Sequence, residues 1–433
     1  MRSPTKNQRG SAILSALIVA VIISAVAAKY VQTSYNDFRF NHETMMGFKA
    51  LNHAESGVEY AINAYRTDDW SGWTQESNGN YSRTYYPLDR QKFRVVIDPN
   101  SNPITVFSEG LVDNPMTPEI SRQIIVQLER RGLFANGLTA RETIIFNGNR
   151  IAIDSYRSSL GSYDIYINRG DNGTVASVSI EDDIIAVNNG DIWGYVATGG
   201  GEPDIGPNGS ILGEDSPVGT NIDPSRLSYD FYADFPPVDT PDISSAYTSY
   251  SGNVIGSPSN SSVYNLSNFD IRSRDTITVY GDVKIVVQDE TDIKGELIIA
   301  PGSTLELYLK DDMNIGGTGI VNQTSDPASL QIYAVDSGVG EIKLHGSGTL
   351  FGVVYAPDSL VSLKGGGSVG AAYGAIVGQN IRLNGNYEFH YDEDVGDIGD
   401  SGVKISLWKE LVSSDERIDY TSLRSSGFSD RWQ

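Results

Sequence analysis

Four clusters of acidic residues are the first candidates for chemistry: Glu181, Asp182 and Asp183; Asp289, Glu290 and Asp292; Asp311 and Asp312; and Asp392, Glu393 and Asp394. Paired carboxylates can hydrolyse glycosides, one as acid and the other as base or nucleophile. Adjacent acids on a strand point to opposite faces, however, so solvated turn residues account better for these clusters. Calcium would use the same oxygens at loops, yet no EF-hand spacing and no Gly-Gly-x-Gly-x-Asp repeat occurs. Of the four histidines, His42 and His53 fall in a long helical stretch, which leaves His345 and His390 for any outer site. Nothing marks a nucleophile, and neither a His-Glu-x-x-His zinc motif nor a phosphate-binding loop is present. The chain has no cysteine, which excludes disulfides, thiolate metal sites and cysteine nucleophiles together. The expectation is therefore no catalytic residue, no metal and no cofactor.

The elements that would position such residues follow from composition and period. At 433 residues the chain has room for two or three folded units behind its N-terminus. Its 45 glycines and 24 tyrosines, among valine, isoleucine and asparagine, suit short strands joined by tight turns. The formal net charge is −23. So acidic a surface repels phosphate backbones and anionic headgroups, which argues against nucleic acid and leaves membrane contact to apolar side chains.

Those side chains are concentrated at the start. A basic leader, residues 1–10 with Arg2, Lys6 and Arg9, precedes the uncharged run Ser11–Ala28. Eighteen residues of helix span about 27 Å, close to the ~30 Å hydrocarbon core. Basic residues before the run favour a cytoplasmic N-terminus. After Lys29 the pattern stays helical to Arg66, with Val31, Tyr35, Phe38, Met45, Leu51, Ala54, Val58, Ile62 and Tyr65 mostly three or four apart. Three readings fit: a secretory signal cut near Ala25, Val26 and Ala27, an uncut anchor, or a helix over 11–66 retained after cleavage between Gly10 and Ser11.

Residues 67–131 switch to strands at Tyr81–Tyr86, Phe93–Ile97, Ile104–Val112 and Ile120–Leu128. Their alternation predicts an antiparallel sheet with one face on the helix and the other wet. Trp70 and Trp73 cap that packing. Over residues 132–400, short β runs are broken every few residues by glycine, asparagine or aspartate, as in a right-handed β-helix or irregular β-solenoid; an irregular sandwich is the runner-up. Pro236, Pro237, Pro241 and the stretch Ser244–Ser262 read as a linker or long crossing loop. Residues 401–433 are expected to pack back on the large β domain. The fold class is α+β: a long helix on a small antiparallel sheet, then a mainly β domain.

Several of these stretches resemble a known family. Arg9 and Gly10 before Ser11 resemble the processing site of type IV prepilins. Residues 50–61, with Ala50, Ala54, Glu55, Gly57, Val58, Glu59 and Ala61, resemble the helix motif of PilX-type minor pilins. Residues 146–156 with Gly161 and Tyr163, residues 351–357, Gly365 to Gly367, Gly370 to Ala372, and Phe389 to Asp392 resemble that family's large domain, and Ile405–Leu411 its terminal segment. The resemblance implies cleavage by prepilin peptidase after Gly10 and methylation of Ser11. It also implies residence in the inner membrane with the β domain periplasmic, and later packing with other pilin subunits and the assembly machinery into an extracellular pilus or a secretion pseudopilus. Ser15, Ala54, Glu55 and Gly57 would belong to the assembly helix. Major pilins carry glutamate at the fifth mature position, where it neutralises a neighbour's N-terminal amine. Ser15 cannot do so, which implies a tip or initiating subunit displaying its β domain for assembly or adhesion to a surface or polysaccharide. A polysaccharide-active β-helix enzyme anchored by the same N-terminus, and an envelope-anchored structural protein unrelated to pili, stay open.

Overall fold

The computed structural model describes residues 9–113, 118–317, 319–335, 337–346, 349–365, 370–399 and 402–428. Leader residues 1–8 lie outside these. The chain divides into two compact units, one formed by Met1–Glu129 with Val403–Gln433 and the other by Arg130–Gly402.

In the first unit, α1 (Arg9–Thr67) is a single helix of 59 residues, uninterrupted because no proline falls within it. It stops where Asp68 turns to a left-handed φ of 49° and the Asp69 amide donates to the Ala64 carbonyl at 3.1 Å, the 6→1 bond of a Schellman cap. Strands β1 (Thr74–Gln75), β2 (Tyr81–Leu88), β3 (Gln91–Asp98), β4 (Ile104–Val112) and β5 (Ile120–Arg131) follow as an antiparallel meander. The strand Gly402–Glu410 adds a sixth position beside β5.

The C-terminal segment therefore belongs to the first unit, not to the large β domain as its position in the chain suggests. It completes the small sheet and then covers it. Ala54, Val58 and Ala61 of α1 meet Phe93, Val95, Ile97, Val106, Ile124 and Val126 on one face. On the other face Val96, Phe107 and Ile125 are covered by Leu411, Tyr420, Leu423 and Phe428, the last three in and around the short helix α2 (Tyr420–Ser426). The face expected to be wet is dry, because it carries its own apolar row and that row needs cover. Polar side chains fix the register of the cover. Gln123 donates to the Ile418 carbonyl and accepts from the Ile418 amide, both at 3.0 Å. Arg94 pairs with the buried Glu109 at 2.6 Å, and Arg424 with Glu76 at 2.6 Å.

The second unit is a parallel β-solenoid wound in two parts. The first part holds β6 (Leu138–Ala140), β7 (Ile144–Tyr156), β8 (Gly173–Ser177) and the strand Asp191–Thr198; the second runs from Val254 to Asp392. The last strand of the second part, Gly370–Asp392, pairs in parallel with β6 and β7, so the end of the winding stacks on its beginning. One row of side chains runs in register along the stack: Asn265, Val286, Tyr308, Tyr333, Tyr355, Val377, Thr139, Ala176 and Ala197. Residues 229–253 join the two ends; of the stretch read as a crossing loop, Pro236 to Asn253 lies in this connection, but Val254–Ser262 belongs to the strand Val254–Leu266. The Phe231 amide donates to Thr198 and the Tyr247 amide to Val263, near opposite ends of the stack. Eight steps of ~4.8 Å make a path of about 38 Å, and sixteen residues can reach roughly 55 Å when extended. Along the way the Tyr355 hydroxyl donates to the Pro236 carbonyl at 2.8 Å, Arg141 lies over the Phe235 ring, and Val238, Ile243 and Tyr250 pack against the core.

The helix seats on its sheet through two glycines. A Cβ on Gly110 of β4 would overlap the Ala50 carbonyl oxygen and lie 2.6 Å from the Ala54 nitrogen; one on Gly57 would overlap the Ser108 hydroxyl. Backbone cannot yield as a flexible side chain can. Gly110→Ala is thus expected to destabilise the first unit by about 2–3 kcal/mol, the upper range for overpacking, in denaturant unfolding of the detergent-solubilised chain. An unchanged midpoint would show that the helix can lift off its seat at no cost.

Candidate functional site

α1 carries the residues singled out by sequence. Gly10 and Ser11 lie in its first described turns, and Ser15 follows in the stretch from Ile13 whose apolar side chains are all exposed. Among the described residues one helix is long and apolar enough to cross a membrane, Ile13–Thr67. Exposure of large apolar groups continues far beyond Ala28: Tyr30 is 73% exposed, Phe40 69% and Phe48 64%, with Val31, Tyr35, Phe38 and Met45 between them. Ala54 and Gly57 are instead buried against the protein's own β3 and β4, while Glu55 faces solvent. The small residues of that motif thus serve the intramolecular seat. Gly110, their counterpart, was not singled out by sequence, although a glycine inside a strand signals a close backbone approach.

Most of the acidic clusters lie in turns, but Asp292 is within the strand Thr291–Ile293 and Asp392, expected as a solvated turn acid, is buried at the end of Gly370–Asp392. Glu181, Asp182 and Asp183 are exposed, as are Asp289, Glu290 and Asp311. Asp292 pairs with Lys294, and Asp312 accepts the Gly340 and Glu341 amides. Asp394 accepts the Ser159 amide at 2.7 Å. Glu393 takes Ser155 at 2.7 Å and Arg157 at 3.2 Å. No group of three or more metal-ligating side chains converges among the described residues. His345 is bound to Asn314 at 2.7 Å, beside a cleft lined by Ile320, Leu344, Leu350, Lys364 and Tyr387.

Among the described residues, a buried polar constellation forms between the two sequence motifs. Registering Gly370–Asp392 on β7 sets His390 opposite Asp154 and Asp392 opposite Tyr156. Phe389 and Tyr391, the alternate residues, enter the solenoid core, so His390 and Asp154 lie on the other side of the strands. They are buried there because the loop 157–172 folds over them. His390 Nδ1 lies 2.5 Å from Asp154 Oδ1; an ionised carboxylate only accepts, so this nitrogen carries the proton. The other carboxylate oxygen accepts from the Tyr163 hydroxyl at 2.6 Å and from Arg169 Nε at 3.1 Å. Arg169 in turn lies over the Trp193 ring. The rings of Phe351, Tyr373, His390 and Tyr163 stack in sequence, with centroids 4.4, 4.6 and 3.8 Å apart. Burial foremost, then the bond to Asp154, pushes the Tyr163 phenol well above its ordinary range. Burial likewise raises the Tyr156 phenol and the Asp392 carboxyl.

An Asp–His pair can activate a nucleophile when the far ring nitrogen meets a hydroxyl or thiol. Here Nε2 is buried without a hydrogen-bond partner and faces Glu388 at 3.7 Å. The arrangement braces the loop 157–172 against two strands. It gathers Asp154, Tyr156, Tyr163, His390 and Asp392, which the sequence presents in two motifs more than two hundred positions apart; Arg169, Trp193 and Tyr373 join them with no motif to mark them.

Residues 243–398 match a family described as a domain of unknown function, DUF7305; the match covers the end of the crossing segment and the second winding. No curated protein matches the chain. Among solved structures, the chain is similar to the competence-associated pilin ComZ from Thermus thermophilus, at 11% identity over 84% of this chain and 97% of that one, with a TM-score of 0.27.

Removing a carboxylate shared by several donors typically costs about 1–3 kcal/mol for a buried donor left unsatisfied. Asp154→Asn is therefore expected to lower the unfolding free energy of the solenoid by about 1–3 kcal/mol and to speed proteolytic cleavage within 157–172. Unchanged cleavage in that loop would show that Asp154 does not hold it.

Proposed function

We propose that the chain is a minor pilin-like subunit, anchored in the inner membrane by residues 11–28 and assembled through α1 with other pilin subunits. The observation that carries this reading is the length of the uncovered apolar surface. From Ile13 to Phe48 the exposed apolar side chains extend along roughly 54 Å of helix, against a hydrocarbon core of ~30 Å. A signal sequence or plain anchor accounts for the first half only. The second half needs protein, and a bundle of similar helices supplies it.

Within this reading, prepilin peptidase cuts between Gly10 and Ser11 and the new N-terminus is methylated. The solenoid is periplasmic before assembly and extracellular afterwards, carried at or near the tip because so large a unit obstructs lateral packing. Ser15 supports a terminal position: without a carboxylate at the fifth mature residue, the subunit cannot neutralise a neighbour's amine in an apolar interior. The solenoid's role is initiation of assembly, adhesion, or both, and the proposal assigns it no catalysis.

N-terminal sequencing and intact mass of the protein from native membranes test the reading. The expected product begins at methylated Ser11. A product beginning at Ala28 would remove the assembly helix from the mature protein and end the proposal. Release of sugar from a polysaccharide panel by the purified chain would move it to the class of enzymes.

A further inference from the structure

The loop 157–172, braced from below, presents an apolar tip from above. Leu160 is 72% exposed, Ile165 52%, Tyr166 93% and Ile167 82%. Three consecutive large apolar residues at a loop tip, with a fourth nearby, are unusual on a soluble surface, where contiguous apolar patches mark binding sites. This tip is not a loosely held segment. Asn168 accepts the Asp164 amide at 2.7 Å and donates to the Gly161 and Ser162 carbonyls, and Asp164 caps the Tyr166 amide at 2.8 Å. Tyr163 and Arg169, immediately flanking it, are tied to Asp154. The apolar side chains are thus held out in water by a scaffold of polar bonds, and the ordering cost of binding is already met.

We infer that this tip inserts into the interfacial region of an electrically neutral lipid bilayer. Three features select that occupant. Tyr166 and Ile167 are exposed over more than four-fifths of their surface, so they suit a deformable apolar layer. The cations beside it are occupied, Arg157 by Glu393 and Arg169 by Asp154, so nothing is left to draw an anionic headgroup or an acidic protein. The chain's net charge of −23 repels both a second copy and an anionic membrane. Isoleucine and leucine enter the acyl layer, and tyrosine is enriched at the headgroup level. The inference rests on the loop alone and holds whether or not α1 builds a filament.

Because the chain has no cysteine, Tyr166→Cys can carry a single environment-sensitive dye at a position too exposed to disturb folding. The full chain, reconstituted through α1 into one set of phosphatidylcholine vesicles, would be mixed with a second, protein-free set containing nitroxide-labelled lipid. The expected result is a blue-shifted emission and several-fold quenching at position 166. No such change is expected for a dye at Ser249→Cys, in the crossing segment. The double variant Ile165→Asp and Ile167→Asp should lose capture of the second vesicles while keeping its unfolding midpoint. The inference is overturned by an unquenched dye at 166 or by equal quenching at 249. It is equally overturned by quenching confined to phosphatidylglycerol vesicles, or by a blue shift that follows protein concentration without added lipid, which would name a second copy as the occupant.

Discussion

The exposed apolar surface of α1 runs farther than a bilayer is thick, and the small sheet covers only the last third of the helix. Everything else in the first unit is arranged around holding that third. Gly110 and Gly57 remove the two Cβ atoms that would keep helix and sheet apart. Val58 and the buried alanines fill the interface, and the Schellman cap stops the helix where the first strand must turn back. The C-terminal segment then dries the opposite face of the sheet, so the seat is a three-layer sandwich. A two-layer one would leave Val96, Phe107 and Ile125 in water. Rigidity there leaves the remaining two-thirds of α1 as a projecting rod whose apolar residues must find cover elsewhere.

The second unit solves a different problem. A parallel solenoid exposes an unpaired strand at each end, and exposed edges invite association. Here the chain begins in the middle of the stack and winds outward. It then crosses the full length as the segment 229–253 and winds back until Gly370–Asp392 meets β6 and β7. The crossing segment meets Tyr355 of the in-register row through the Pro236 carbonyl and packs Phe235, Val238, Ile243 and Tyr250 against the core, so the residues that connect the halves also cover apolar surface. At the junction of the halves the strands place Asp154 opposite His390, and the polar bonds made there are spent on the loop 157–172. The buried polar cluster around Asp154 and His390 is in this way linked to an exposed apolar tip.

Much of this was legible in the chain. The break from period 3.6 to period 2 after Arg66 marks the end of α1, and the β runs of the first unit fall where their apolar alternation puts them. The double-sided burial of the small sheet was also signalled, by the unbroken apolar runs at Val95–Ile97 and Ile124–Val126, which are those of a strand covered on both faces. It was missed because the cover arrives from residues some three hundred positions later. The stacking of Ile376 on Leu138, and of His390 on Asp154, depends on register between distant strands, and nothing in either strand announces its partner. The motif containing Ala54 and Gly57 was visible as a cluster of small residues, but whether it faces a neighbour or the chain's own sheet is settled only by Gly110.

The central claim is that the part of α1 beyond the bilayer is covered by helices of other subunits. Phe40→Cys carrying a short photocrosslinker, in native membranes or sheared filaments, tests it most directly. The account predicts adducts at Phe40 whose fragment masses identify a second apolar N-terminal helix, and far fewer from the same probe at Glu55→Cys on the solvent face. A probe at Phe40 that yields only water or lipid adducts would contradict it.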